Sequence, residues 1–215
     1  NKLNDEEILI IKEAENLLIN ERKKRVKPFF DDKVQTDLNC YWLYSNLYSS
    51  IILDDNELYS KTITKIQLIN EKLKTNIFHC YDKNKNEIDV FLEDYVYYAL
   101  LLISMYELNN DKESLEKCKR IMEDIWNLFF NKDYNLLQKN IFSSNDLFVN
   151  PVDIGDNNIP NGNSIYLIIC SKLNNITNDQ KWFEKLDILT KSINTYISFN
   201  FSQMFNYLKK NKYTT

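Results

Sequence analysis

Glycine, proline and histidine are nearly missing from this sequence. Gly155 and Gly162 are the only glycines among 215 residues, so no glycine-rich loop exists to cradle a phosphate in the manner of nucleotide-binding folds. His79 is the single histidine, which removes two-histidine zinc sites, paired-histidine acid/base chemistry and the His-x-x-x-His of a metalloprotease. No metal or cofactor is expected. Cys40, Cys80, Cys118 and Cys170 are widely spaced with no Cys-x-x-Cys. They are expected to be reduced thiols, mostly on apolar helical faces, in a reducing, cytoplasmic-type compartment. There is no basic excess either: 27 Lys and Arg stand against 31 Asp and Glu, a net charge of −4, so neither nucleic acid nor an anionic membrane is an expected partner. No apolar run approaches the ~20 residues needed to span a bilayer. Pro28, Pro151 and Pro160 are the only prolines, and with so few turn formers the expected class is all-α. A chain that starts at Asn rather than Met is expected to be a piece of a longer protein.

What is present is an alternation of two kinds of helix. The segment Leu3 to Lys24 carries Ile8, Ile11, Ala14 and Leu18 on one stripe with charge elsewhere, the pattern of an amphipathic helix. From Gln35 to Leu53 the only charge is Asp37, and apolar side chains cover every face, which predicts a helix packed on all sides. Asp54 to Lys74 is amphipathic again. Asp89 to Leu108 is apolar all round, the segment through Leu115, Cys118, Met122, Ile125 and Phe129 is striped, Asn161 to Leu173 is apolar, and Gln180 to Ile197 is striped. The all-apolar helices begin about 55 to 70 residues apart, a weak repeat of helical hairpins. Inner helices touching neighbours on every side and outer helices facing water imply a two-layer α/α toroid or solenoid rather than a four-helix bundle. Between hairpins, Asn76 to Ile88 and Tyr134 to Asn145 set aromatics around polar turns and are expected to form short β-hairpins at one rim.

The loops leading into the inner helices share an unusual residue set. They are Lys27-Pro28-Phe29-Phe30-Asp31-Asp32-Lys33, then Phe91-Leu92-Glu93-Asp94-Tyr95, and Asp153 through Ser164. Asp, Asn and Ser are the preferred N-caps, and acids in a first turn favour the helix dipole, so each alone reads as a cap. Their recurrence at one end of three inner helices, beside Phe30, Tyr95 and Tyr98, would bring carboxylates and free N–H groups to one mouth. Paired carboxylates among aromatics suit sugar binding and glycosyl-transfer chemistry, with one acid of raised pKa as proton donor and a second as base, nucleophile or charge stabiliser. His79, between Phe78 and Cys80 in a rim segment, reads as a packed or solvated histidine.

The runs Arg25 to Thr36, Phe91-Leu92-Glu93-Asp94-Tyr95, Met105-Tyr106-Glu107-Leu108 and Asp156 to Ser164 stand in the order and approximate spacing of one family. The chain resembles, from about Arg25 to Ser164, the spermatogenesis-associated protein 20 or YyaL-like family. There a thioredoxin-like N-terminal domain precedes an (α/α)6 toroid similar to six-hairpin glycosidases and N-acylglucosamine 2-epimerases. The resemblance implies a single domain over 1–215, the later part of such a toroid, with the thioredoxin-like domain and early hairpins outside this chain. It implies Asp32, Asp94, Glu93 and Asp156 as catalytic candidates, and Asp31, Lys33, Tyr95, Asn161, Asn163 and Ser164 as ligand-binding candidates. Toroid epimerases rely on paired histidines, so a lone His79 disfavours a 2-epimerase reaction and leaves glycosidase-like or sugar-isomerase-like carboxylate chemistry on a sugar-like ligand. The competing expectation is a non-enzymatic helical scaffold for a thioredoxin-like or other protein partner. An open part-ring would also expose apolar inner-helix surface to be covered by the rest of its own protein or by a partner.

Overall fold

The computed structural model describes residues 3–31, 33–81, 90–141, 150–197 and 201–209. The chain divides into two compact units, Asn1–Asp32 and Lys33–Thr215.

The first unit is built on α1 (Asp5–Lys23). Asn4 caps it: the Asn4 side chain accepts from Glu7 N and the Glu7 carboxylate accepts from Asn4 N, each at 2.8 Å, a reciprocal pair that satisfies two orphan donors. No residue of α1 is buried. The stripe of Ile8, Ile11 and Leu18 that periodicity marks as a packing face is exposed, as are Phe29 and Phe30 beyond the helix.

The second unit contains three helical hairpins: α2 (Thr36–Ile52) with α3 (Asn56–Lys72), α4 (Leu92–Asn109) with α5 (Lys112–Phe129), and α6 (Gly162–Thr177) with α7 (Gln180–Asn194). A one-turn 3-10 helix (Phe201–Gln203) and α8 (Phe205–Lys209) follow. Their starts are written locally, because Asp55, Asp111, Asn161 and Asp179 each accept a backbone N–H from the first turn of α3, α5, α6 and α7. Asn110 and Asn178 end α4 and α6 in the left-handed region, with φ of 54° and 52°, a conformation asparagine tolerates. Within the unit α4 packs between α2 and α6, and each outer helix packs on its own inner partner. This is the expected alternation of an all-α, partial α/α toroid.

The inner helices are not equally enclosed. In α4 every residue from Val96 to Ser104 is buried, and in α6 every residue from Gly162 to Ser171. By contrast, α2 buries only the stripe Thr36, Cys40, Leu43, Leu47 and Ser50. Trp42 is 47% exposed, Ile52 80% and Leu53 70%, so the expectation that α2 is packed on all sides is corrected: among the described residues it is the edge of the array, with one side uncovered. At the far end a polar strut crosses the inner layer. Tyr48 of α2 donates to Glu107 of α4 at 3.1 Å, and Glu107 pairs with Lys172 of α6 at 2.6 Å.

Short strands sit where the rim was expected, with different pairings. β1 (Val34–Gln35) pairs antiparallel with β2 (Cys80–Tyr81), and β3 (Phe130–Asn131) with β4 (Leu136–Leu137). The Asn76 to Ile88 segment therefore pairs, among the described residues, with the lead-in to α2 rather than with itself, and residues 82–88 lie outside the described residues. The second hairpin starts at Phe130 instead of Tyr134, directly from the end of α5, and 142–145 of its expected span are also outside the described residues. All four cysteines are free and buried. Among the described residues no helix is long and apolar enough to cross a membrane.

Candidate functional site

Each inner helix begins at the same cleft, and each start is held by a different tie. Lacking a side-chain cap, α2 is anchored by Thr36 N donating to His79 O at 2.8 Å and Asp37 N donating to Asp94 Oδ1 at 3.2 Å. The start of α4 is fixed by Leu92 N donating to Lys139 O at 2.9 Å and Phe91 N donating to Asp94 Oδ2 at 2.8 Å. At α6, the Asn161 side chain accepts from Ser164 N at 3.0 Å and donates to Ile154 O at 2.8 Å.

The cleft these ends enclose has a volume of about 430 Å³, within the range of small-molecule sites. Its polar groups are Asp37, His79, Glu93, Lys139, Asp153 and Asn157 to Asn158, with Asn161 at the base and Phe91, Ile159 and Pro160 as apolar wall. Glu93 places a carboxyl on the cleft wall with one oxygen unmatched by its surroundings. Its Oε2 is buried with no hydrogen-bond partner, and burial pushes its carboxyl above the usual range. Its own backbone N–H and Lys139 pull it down, while Asp94 and Asp37 push it further up. A carboxyl that resists ionisation beside a cleft is equipped to donate a proton.

Asp94, the neighbouring acid, is fully buried and does not line the cleft. Its two oxygens accept from Asp37 N and Phe91 N and lie 3.0 and 3.2 Å from His79 Nδ1. Burial pushes its carboxyl up to about 6, against the opposing pull of the Phe91 N–H and His79. Asp94 thus holds together the starts of two inner helices and the His79 ring, which lies edge-on to Phe91 with centroids 4.8 Å apart. A buried carboxylate on Nδ1 orients the imidazole and leaves Nε2 as its other functional nitrogen. That nitrogen lies 3.5 Å from Gln35 Nε2. Asp37, His79 and Asp94 each offer a ligand atom within 4.8 Å of the others. Both Asp94 oxygens already accept backbone N–H groups there, and Asp37 Oδ1 accepts from Leu38 N at 2.7 Å.

The other sequence-predicted residues fall in several places. Asp156 clamps the third loop: one oxygen accepts from Asn161 N at 3.0 Å and the other from Asn206 N at 2.8 Å. Asn163 is a buried peg whose amide group joins Leu137 N, Leu137 O and Asp153 O. Ser164 is buried against the Asn161 amide. Tyr95 lines a separate cavity with Tyr98. Lys33 is exposed, Asp31 is exposed in the first unit, and Asp32 lies outside the described residues. Of the candidates, Glu93 and Asn161 meet at the cleft, joined there by Asp37, His79 and Lys139, which the sequence reading did not select. His79 carried no local signal, since its partner is 15 residues away and is reached only through the β1–β2 pairing.

No family model matches the chain and no curated protein matches it. Solved structures do. An inactive variant of the GH76A α-1,6-mannanase of Salegentibacter sp. HEL1_6, in complex with α-1,6-mannotriose, is similar with a TM-score of 0.57 at 14% identity, covering 74% of this chain and 47% of that one. The cellobiose 2-epimerase of Bacillus thermoamylovorans gives 0.57 at 13% identity, covering 75% and 44%. A D-mannose isomerase gives 0.52 at 13% identity, covering 75% and 42%. The chain thus spans about half the length of these proteins, and what it shares with them is the α/α-toroid, six-hairpin glycosidase-like fold.

Proposed function

We propose that the cleft at the N-terminal ends of α2, α4 and α6 binds a carbohydrate or related polyhydroxylated molecule, with Glu93 as proton donor. The observation that carries this reading is the Glu93 carboxyl, whose buried Oε2 has no partner and whose pKa is raised by burial beside the cleft. Glu93 lines the cleft, where a glycosidic oxygen of a bound sugar would accept the proton of its neutral carboxyl. Asp37, Asp153, Asn157 and Asn161 are the kind of acceptors and amides that hydrogen-bond hydroxyl groups, with Phe91 and Pro160 against a ring face. Asp94 acts as a positioning residue through His79. The three neighbours named above are sugar-active or sugar-binding by their own descriptions, and the inactive mannanase variant carries replacements at two consecutive aspartates. Glu93 and Asp94 form a consecutive acidic pair here, and Asp31 and Asp32 form another, so Asp32 stays a candidate alongside them, with Asp31 and Lys33 as flanking ligand contacts. The four ordered motifs between Arg25 and Ser164 support membership of the spermatogenesis-associated protein 20 or YyaL-like family, and with it a longer protein bearing a thioredoxin-like domain.

The test is a thermal-shift panel of mono- and disaccharides, α-1,6-manno-oligosaccharides and polyols on the chain and on its Glu93→Gln variant. A shift lost with Glu93→Gln supports the reading and justifies assays of hydrolysis and isomerisation. If no sugar shifts the parent protein, the carbohydrate reading fails. One observation favours a second reading, a helical interaction scaffold: the apolar side of α2 at Trp42, Ile52 and Leu53 is uncovered, which is surface that a further helical hairpin or a protein partner would bury.

A further inference from the structure

A second and larger cavity, about 650 Å³, opens on the outer wall between the end of α3, the 74–78 segment, α4 and α5. Three cations line it: Lys74, Lys117 and Arg120. Lys117 and Arg120 are one turn apart on α5 and so share a face, and Lys74 comes from the segment after α3. Among the described residues none of the three has an ion-pair partner, although the neighbouring outer-layer cations Lys119, Lys181 and Lys185 are each matched to a carboxylate. Among the described residues Asp124 is the one acid on the cavity wall, three cations against one acid.

Lys117 shows that this arrangement is built rather than a loose surface cluster. Its ammonium donates to the Tyr98 hydroxyl and lies 4.9 Å from the Tyr98 ring centre. The Tyr98 hydroxyl donates in turn to Asn70 Oδ1 at 2.8 Å, and Tyr98 is fully buried. A half-buried ammonium is therefore fixed by a neutral phenol where a carboxylate would ordinarily stand. Burial, then Arg120 and Lys74, push the Lys117 pKa down against the upward pull of Glu113.

We propose that this outer cavity is an anion site that takes a small phosphate monoester, its phosphate held by Lys117, Arg120 and Lys74. The guanidinium fork of Arg120 matches two phosphate oxygens, and two ammoniums complete the shell of a dianion. Thr75 and Asn76 supply polar atoms, and the Tyr95 ring supplies an apolar wall for the rest of the ligand. The site is separate from the inner cleft and does not rest on the carbohydrate reading.

The experiment is calorimetric titration of the 215-residue chain with inorganic phosphate, glucose 6-phosphate and, as the uncharged control, glucose, repeated on Lys117→Met, Arg120→Gln and Glu93→Gln. The expected result is binding of both anions, weakened tenfold or more by Lys117→Met and by Arg120→Gln, with the binding of inorganic phosphate, which carries no sugar, the same in Glu93→Gln as in the parent. Lys117→Met keeps the aliphatic stem and removes an unpaired charge, so its thermal midpoint without anion is expected to equal or exceed that of the parent. Absence of anion binding at millimolar concentration, or binding that survives both cation substitutions, overturns the proposal. Inorganic phosphate binding lost with Glu93→Gln also overturns it, since that outcome puts the anion in the inner cleft.

Discussion

Gly162 is the point at which the packing of the site can be tested most directly. It is the first residue of α6 and lies against the first residue of α4, Leu92. A Cβ added there would stand 2.7 Å from Leu92 Cδ2 and 2.8 Å from Leu92 Cγ, where carbon atoms normally rest at about 3.5 to 4.0 Å. Leu92 cannot simply move: it is 2% exposed, and its N–H is held by Lys139 O at 2.9 Å. The glycine is not there for its backbone, since neither glycine of the chain has a positive φ. Overpacking of this kind costs about 1 to 3 kcal/mol, and the helix-propensity gain of Ala over Gly, at most about 1 kcal/mol in a helix interior, is smaller at a first position. Gly162→Ala is therefore expected to destabilise by about 1 to 2 kcal/mol net, read from urea unfolding. The clash is specific, so a double-mutant cycle with Leu92→Ala, which alone costs about 2 to 5 kcal/mol, should show a favourable coupling of about 1 kcal/mol or more. A Gly162→Ala protein as stable as its parent, or a cycle with no coupling, refutes the account of how α6 seats on α4.

Three further outcomes follow from the site and the edge. Asp94→Ala leaves Asp37 N, Phe91 N and His79 Nδ1 without their acceptor; at about 1 to 3 kcal/mol per buried donor, with some relaxation, a loss of about 3 kcal/mol or more is expected, together with altered His79 chemical shifts by NMR. The Asp94 carboxyl is raised from 3.8 to about 6, so between these pH values the folded state keeps a proton that the unfolded state has released. Stability should accordingly fall as pH rises through that window, by at most about 3 kcal/mol. The pH dependence of the urea midpoint checks the sign, and an unchanged slope in Asp94→Asn would show that another group is responsible. Ile52→Glu, at a position 80% exposed, should change the stability read from urea unfolding by less than about 0.5 kcal/mol, and a large destabilisation would mean that α2 is covered after all.

Helical periodicity carried far in this chain because glycine and proline rarely interrupt it. Every helix of the three hairpins lies within a few residues of its stripe, and the contrast between apolar and striped segments sorted them into inner and outer layers before any contact was known. The same reasoning failed on α2. An apolar surface states that a helix can be covered on all sides, not that the neighbours are present, and among the described residues one side of α2 has none.

The site was legible by half. Loops entering parallel inner helices must end at one mouth, so Glu93 and Asn161 could be placed there from chain order alone. Treating Glu93, Asp94 and Tyr95 as one cluster overlooked helix geometry: successive side chains point about 100° apart. Three adjacent residues accordingly face a cleft, a buried junction and a second cavity.

The sequence by itself thus determined where helices start and stop, through caps such as Asp55, Asp111, Asn161 and Asp179, and which faces seek burial, because both depend on side chains within four residues of one another. Only the tertiary structure decided that His79 meets Asp94, that Lys139 faces Glu93, and that Lys74 joins Lys117 and Arg120. Those meetings depend on strand pairing and hairpin stacking between residues far apart in the chain, where local periodicity carries no information about partners.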